Sequence, residues 1–189
     1  MNYSKKYSGI LLAGGKSSRM GVDKAFMRYD DRYLYEYGLS VLQFFSGDII
    51  ISSSDMRFNN QKYSRIEDEI PNLGPLGGIY SCLKRIKSES AIILPCDLPL
   101  ISIQTIETLI KNSADYEITV ALNHNNIPEP LIGIYSRSII PFIEEMICQK
   151  NYKLQFLLSN SKTNFVRFPD KLMKTFLNLN NQSDYLSLP

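Results

Sequence analysis

Residues 10–24, ILLAGGKSSRMGVDK, run from a short apolar strand into a glycine-rich loop that carries one arginine and two lysines. Gly14 and Gly15 place no side chain between backbone and ligand, so successive N–H groups can converge on an oxyanion, while Arg19 and Lys24 add full positive charges. A ligand that suits such a loop carries phosphate, and a nucleotide is the first expectation. Two familiar phosphate loops are excluded by spacing. Gly15-Lys16-Ser17 looks like the end of a P-loop, but that pattern needs a glycine five residues before its second glycine, where this chain has Ile10. The dinucleotide fingerprint fails as well, because Gly14 and Gly15 are adjacent and no Gly-x-Gly is formed.

Outward from this loop, further apolar runs read as buried strands. Residues 8–12 lead into it, and 48–52, 91–94 and 118–122 follow. Between them apolar residues recur at helical spacing: Leu34, Tyr37, Val41, Leu42 and Phe45, then Ile79, Leu83 and Ile86, then Ile103, Ile106 and Ile110. Strand alternating with helix predicts a three-layer α/β fold, a mostly parallel sheet with helices on both faces. The last third is less regular. Residues 131–135 and 163–168 read as strands, 139–148 and 154–158 as helices, and 176–180 as a final strand segment. Pro and Gly mark turns at 71–78, 95–99 and 128–130. With no repeat, low-complexity tract or linker in view, one domain over residues 1–189 is expected.

Composition narrows the partners. A formal charge of +2 is too small for a nucleic-acid surface or a polybasic membrane anchor. Small anions fit better. Cys82, Cys96 and Cys148 are odd in number and form no Cys-x-x-Cys, which argues against a disulfide framework or a thiolate zinc site and fits a reducing cytoplasm. Lys5 and Lys6 before residues 9–13 imitate a signal peptide, but the apolar stretch is too short. No segment approaches the ~20 apolar residues of a membrane span.

In open parallel sheets ligands sit outside the carboxyl ends of the strands. That rule selects the glycine loop, residues 52–55 after the second strand, and Pro95-Cys96-Asp97-Leu98-Pro99 after the third. Asp97, between two prolines that stiffen its turn, stands where a carboxylate would bind Mg²⁺ beside a nucleotide, or else caps a helix starting near Ser102. Gly74-Pro75-Leu76-Gly77-Gly78 enters a helix, and its glycines admit close approach of either a ligand or another chain segment. Asp68 lies in Glu67-Asp68-Glu69, which by itself reads as a solvated edge. Asn178 and Asn180 would point to the same side of an extended segment, completing a polar pocket or ending a strand. His124, the only histidine, lies in an Asn-rich loop and reads as a surface residue, which counts against hydrolytic triads and zinc catalysis.

Taken together, Leu12-Ala13-Gly14-Gly15-x-Ser17-x-Arg19-Met20-Gly21-x-Asp23-Lys24-Ala25, Gly74-Pro75-Leu76-x-Gly78-Ile79, Pro95-Cys96-Asp97-x-Pro99 and Phe176-x-Asn178-x-Asn180 resemble the molybdenum cofactor guanylyltransferases. The motifs span nearly the whole chain in the same order. The resemblance implies a single nucleotidyltransferase domain of the nucleotide-diphospho-sugar transferase type. It implies a reaction in which GTP and molybdenum-molybdopterin give the guanine dinucleotide cofactor and pyrophosphate. By resemblance Leu12, Ala13, Gly14, Lys24, Asp68 and Asp97 contact GTP, and Asp97 also binds Mg²⁺. Gly15 and Ser52 join the nucleotide-binding set, Arg19, Lys24 and Asp97 form the catalytic set, and Gly74, Gly78, Asn178 and Asn180 line the rest of the pocket. Molybdenum cofactor carrier proteins and apo-molybdoenzymes are the implied protein partners, with a cytoplasmic monomer as the expected state.

Four positions depart from the family pattern. Ser52 stands where an asparagine is familiar, Gly77 replaces the alanine of Gly-Pro-Leu-Ala-Gly, and Asn181-Gln182 replace a Thr-Pro. The alternatives within the same fold are a molybdopterin cytidylyltransferase or a sugar-phosphate nucleotidyltransferase. From another class, the alternative is a non-catalytic nucleotide-binding adaptor in cofactor delivery.

Overall fold

The structure, a computed structural model, describes residues 6–14, 24–60 and 62–177. Its centre is β1 (Tyr7–Leu12), buried along its whole length. Alternate side chains enter opposite layers, as the pleat demands: Tyr7 and Leu11 pack into one core, Ile10 and Leu12 into the other. After a small hairpin of β2 (Arg28–Tyr29) and β3 (Arg32–Tyr33), the chain forms α1 (Leu34–Phe45) and returns as β4 (Ser46–Ser52). It continues through β5 (Ser64–Ile66), α2 (Pro75–Leu83), β6 (Ser90–Pro95), α3 (Ile103–Lys111), β7 (Ile118–Leu122) and β8 (Pro128–Ser136), and then α4 (Ile140–Cys148), α5 (Leu154–Asn160) and β9 (Thr163–Val166).

Seven strands form one sheet in the order β5-β4-β1-β6-β8-β7-β9. β8 alone runs antiparallel to its neighbours; the remaining pairs are parallel. Leu11, Ile51 and Leu94 share one core with residues of α1 and α3, while Ile10, Ile50 and Ile93 share the other with residues of α2, α4 and α5. This is the expected three-layer architecture. Burial on both faces explains why β1, β4 and β6 read as continuous apolar runs instead of alternating ones. The ladder also levels the strand ends. Leu12 pairs with Ser52 and with Pro95, and Ser52 pairs with Ile66.

Three local expectations are corrected. Residues 128–130, expected as a turn, open β8. Its register against β7 steps from Val120↔Gly133 to Ala121↔Glu129, and the skipped stretch accommodates Pro130, which has no N–H to give a ladder. Phe176 lies in a 3-10 helix, Asp170–Phe176, instead of a strand. That segment is docked by side chains: Thr175 Oγ1 donates to the Leu100 carbonyl, and the Phe176 ring meets Phe168 edge to face at 5.1 Å. Residues 178–180 lie outside the described residues. The strand expected over 163–168 stops at Val166, and Phe168 is buried in the core.

A compact aromatic cluster underlies the first turn of the site. Phe58 is fully buried, with Phe26 at 4.9 Å and Tyr35 at 5.1 Å between ring centroids. Phe26 closes the 3-10 turn Lys24–Phe26. Truncating so large a buried ring removes its transfer free energy and leaves a cavity. Phe58→Ala is therefore expected to cost about 3–5 kcal/mol, read as a lower urea midpoint; an unchanged midpoint would contradict the packing described.

Candidate active site

The level register delivers four chain segments to one edge of the sheet. Hydrogen bonds extend the ladder one residue past the strand ends: Ala13 N–H donates to the Ser52 carbonyl at 2.9 Å, and Cys96 N–H to the Leu12 carbonyl at 3.1 Å. The start of the glycine loop is thus pinned between the exits of β4 and β6. Ser53 tightens the arrangement, its hydroxyl donating to the Ala13 carbonyl and accepting from Asp55 N–H. A Cβ added at Gly14 would meet only Ser52 O at 3.5 Å and Ser53 Cα at 3.8 Å, ordinary contacts. Among the described residues no packing requires glycine there, and its exposed backbone carries no side chain.

Lys24 and Asp97 come together across the edge. Lys24 Nζ lies 3.7 Å from Asp97 Oδ2, with 25% and 18% of the two side chains exposed. Asp97 is not a helix cap, because Ser102 Oγ accepts from Thr105 N–H and caps α3 itself. Burial raises the Asp97 carboxyl above the usual carboxylate range, and the Lys24 ammonium partly offsets that. A carboxylate held this way favours any further cation brought to it.

Asp68 arrives from β5, a strand too short and polar to be read from Ser64-Arg65-Ile66 alone. Its two acidic neighbours are engaged: Glu67 with Arg65 at 2.7 Å, Glu69 with Lys84 at 2.7 Å and Arg85 at 3.5 Å. Glu69 N–H also donates to the buried Ser81 hydroxyl. These ion pairs hold the Glu69 carboxyl below its ordinary range, chiefly through the Lys84 hydrogen bond. The Asp68 carboxylate, by contrast, has no hydrogen-bond or ion-pair partner among the described residues. It rests against the first turn of α2, where partial desolvation raises its pKa.

That first turn is shaped by glycine. Gly74 has φ of +61°, a left-handed conformation that suits glycine, and Pro75 starts the helix behind it. Gly77 and Gly78 face Asp68 and Ser52. The Ser52 hydroxyl is buried beside Gly78 and interacts with the Cys82 thiol, which burial pushes up to about 12. Ser52 thus forms the floor of the site.

The structure therefore brings Leu12, Ala13, Gly14, Lys24, Ser52, Asp68, Gly78 and Asp97 to one edge, with Gly74 at the mouth of α2. Gly15, Arg19, Asn178 and Asn180 lie outside the described residues. His124 is exposed in the loop between β7 and β8. Among the described residues no three His, Cys, Asp or Glu side chains form a metal-binding group, and no helix is long and apolar enough to cross a membrane. Sequence reasoning missed Arg65, Glu69 and Ser81, which fix Asp68. The only signal was the acidic triplet itself, which composition cannot divide into paired and unpaired members.

Residues 9–164 match the family model described as the MobA-like NTP transferase domain. A probable molybdenum cofactor guanylyltransferase of Carboxydothermus hydrogenoformans is 33% identical over 183 residues, covering 94% of this chain and 92% of that one. Among solved structures, a putative protein from Aquifex aeolicus superposes with a TM-score of 0.78 at 28% identity, covering 95% of this chain and 96% of its own. The molybdopterin-guanine dinucleotide biosynthesis protein A of Archaeoglobus fulgidus gives 0.80 at 21% identity over 95% of each chain, a likeness of fold. The expected nucleotide-diphospho-sugar transferase type of fold is therefore present.

Burial of Asp97 has a consequence for stability. Below about pH 3.8, its ordinary value, the carboxyl is protonated in both folded and unfolded chains. As pH rises toward the elevated native value the unfolded chain ionises first, so the contribution of this group to stability falls with pH. Asp97→Asn is expected to raise Tm at pH 7, with the gain shrinking as pH is lowered toward 4. Thermal unfolding followed by circular dichroism tests this; a lower Tm for the variant at pH 7 would contradict it.

Proposed function

We propose that this chain, which belongs to the MobA-like NTP transferase family, transfers GMP from GTP to molybdenum-loaded molybdopterin, forming the guanine dinucleotide cofactor and releasing pyrophosphate. The observation that carries this reading is the convergence on one sheet edge of the glycine-loop start, the Lys24–Asp97 pair and Asp68, whose carboxylate has no partner among the described residues. The chain is also a third identical, over almost its full length, to a relative named for this activity.

The chemistry matches the residues. The terminal phosphate of the pterin is a monoester, already largely ionised at neutral pH, so its oxygen attacks the α-phosphorus of GTP without a strong general base. The exposed His124 is not needed. One P–O bond forms to the pterin phosphate as the bond to the β-phosphate oxygen breaks, and pyrophosphate departs carrying the released charge. Catalysis is then positioning and charge stabilisation. Lys24 supplies a cation, and the exposed backbone at Gly14 faces the phosphates.

Mg²⁺ fits the acidic end of this site. A buried carboxylate with raised pKa seeks a cation, and magnesium is commonly held by one or two carboxylates with substrate phosphates and waters completing its shell. Asp97 would hold it, with substrate phosphates and waters supplying its other ligands. When bound, the ion supplies positive charge to the phosphoryl oxygens and the leaving pyrophosphate.

Pyrophosphate release is the direct test, with molybdenum-loaded molybdopterin, Mg²⁺ and GTP, CTP or ATP in parallel. Release with GTP alone is expected. Release with CTP instead would make the chain a cytidylyltransferase, and none with any nucleotide would make it a binding adaptor. Lys24→Ala should lower turnover by about 10²–10³-fold without loss of fold, the scale for removing one preorganised charge donor. Wild-type turnover in that variant would overturn the role given to Lys24.

A further inference from the structure

Three hydroxyl side chains next to the turn that carries Asp97 form one directed chain. Thr175 Oγ1 donates to the Leu100 carbonyl at 2.9 Å and lies 3.2 Å from Thr105 Oγ1, which in turn lies 2.8 Å from Ser102 Oγ. A hydroxyl has a single proton, so the first bond decides the direction of the others. Thr175 has given its proton to Leu100, which makes Thr105 the donor to Thr175 and Ser102 the donor to Thr105. Ser102 Oγ accepts the Thr105 N–H at 3.2 Å. Every hydroxyl proton in the series therefore has an acceptor.

These bonds close a ring. Leu100 and Ser102 lie on the same stretch between Asp97 and α3, while Thr175 reaches them from the 3-10 segment Asp170–Phe176. Thr105 is fully buried and Thr175 nearly so. Buried hydroxyls lose hydration, and an aliphatic side chain of the same shape would fill the space without that loss. Packing energy therefore does not account for them. Leu98 and Ile101, both buried, already hold the turn against the core, but apolar contact has no preferred direction. What the hydrogen bonds add is one orientation of the backbone. The turn is then tied on both sides of Asp97: by Cys96 N–H to the Leu12 carbonyl before it, and by the Leu100 carbonyl to Thr175 after it.

We propose that Thr175 is a positioning residue for the transfer reaction: its hydroxyl fixes the far side of the Asp97 turn, and so the place at which that carboxylate holds a divalent cation. The inference rests on the nucleotidyl-transfer reading above. Thr175 acts through the Leu100 backbone. Groups that orient a metal ligand from behind commonly matter about 10–100-fold in metal affinity or activity, because a ligand free to shift binds less well.

The test compares the full chain with Thr175→Val, which keeps the shape and loses the hydroxyl, and with Thr175→Ser, which keeps the hydroxyl and loses the methyl. Mn²⁺ is the probe, its binding in the presence of GTP followed by electron paramagnetic resonance, with circular dichroism as the check on folding. In Thr175→Val the Mn²⁺ Kd is expected to rise about tenfold or more, and in Thr175→Ser by less than about threefold. GTP affinity measured without divalent cation should change by less than about twofold in either variant. Ser102→Ala opens the ring at its other end and should weaken Mn²⁺ binding in the same direction, which keeps the question decidable if the valine variant does not fold. A folded Thr175→Val with wild-type Mn²⁺ affinity, the same variant with an equal loss of GTP affinity without cation, or Thr175→Ser as impaired as valine would each overturn the inference while leaving the nucleotide site standing. A wild type that binds neither GTP nor Mn²⁺ would remove that site as well.

Discussion

The register around β1 is the constraint on which the rest of the molecule depends. Leu12 is paired at once with Ser52 and Pro95, and Ser52 with Ile66, so four parallel strands end on one rung. Because successive side chains enter opposite layers, a slip of one residue would send Leu11 into the core now filled by Ile10 and reverse every neighbour with it. A strand buried on both faces tolerates no such exchange. The hydrophobic cores thus fix the strand ends in depth, and the polar segments that follow inherit that alignment without any need to recognise one another.

Charge is distributed over this frame in two ways. Glu67 and Glu69 are spent on Arg65, Lys84 and Arg85, and the Glu69 carboxyl is correspondingly held low. Asp68 and Asp97 are shifted the other way by desolvation. The acids that organise the protein are satisfied, whereas those that face the edge remain electrostatically incomplete. Desolvation disfavours the charged form of both, which is the electrostatic setting of candidate ligand-contacting groups. Binding of cationic or proton-donating partners recovers that cost, which couples occupancy of the site to stability of the domain.

Much of this was legible in the sequence. Residues 118–122 and 48–52 stood out as strands because burial on both faces makes 49–51 and 120–122 unbroken apolar runs, and Gly14, Lys24 and Asp97 stood out because they follow such strands. β5 was not legible. Its three residues contain one apolar side chain, and it exists because β4 offers an open edge to pair with. Asp68 therefore entered only through resemblance, and the reason it differs from Glu67 and Glu69 is tertiary. The prolines of 128–130 misled for a related reason: their local preference for a turn gives way where a register step frees the strand from using their missing N–H groups. Phe176 misled because alternation in sequence was answered by packing on Phe168 and not by a ladder.

The placing of Lys24 shows how the two levels meet. A lysine side chain has four rotatable bonds, and at its tip the ammonium lies 3.7 Å from Asp97 Oδ2. What fixes the lysine is its backbone. Two residues on, Phe26 is packed against Phe58 and Tyr35, and the Arg57 guanidinium lies 3.6 Å from the centre of its ring. Arg57 is itself gripped by Asp55, whose N–H reaches the Ser53 hydroxyl that in turn donates to Ala13 O. The chain of contacts runs from the glycine-loop start, through the exit of β4, to the turn that carries the lysine. Any motion of β4 against β1 is thereby felt at both ends of this edge of the sheet. The aromatic seat sets the position of the turn, and the ion pair with Asp97 sets the charge beside it.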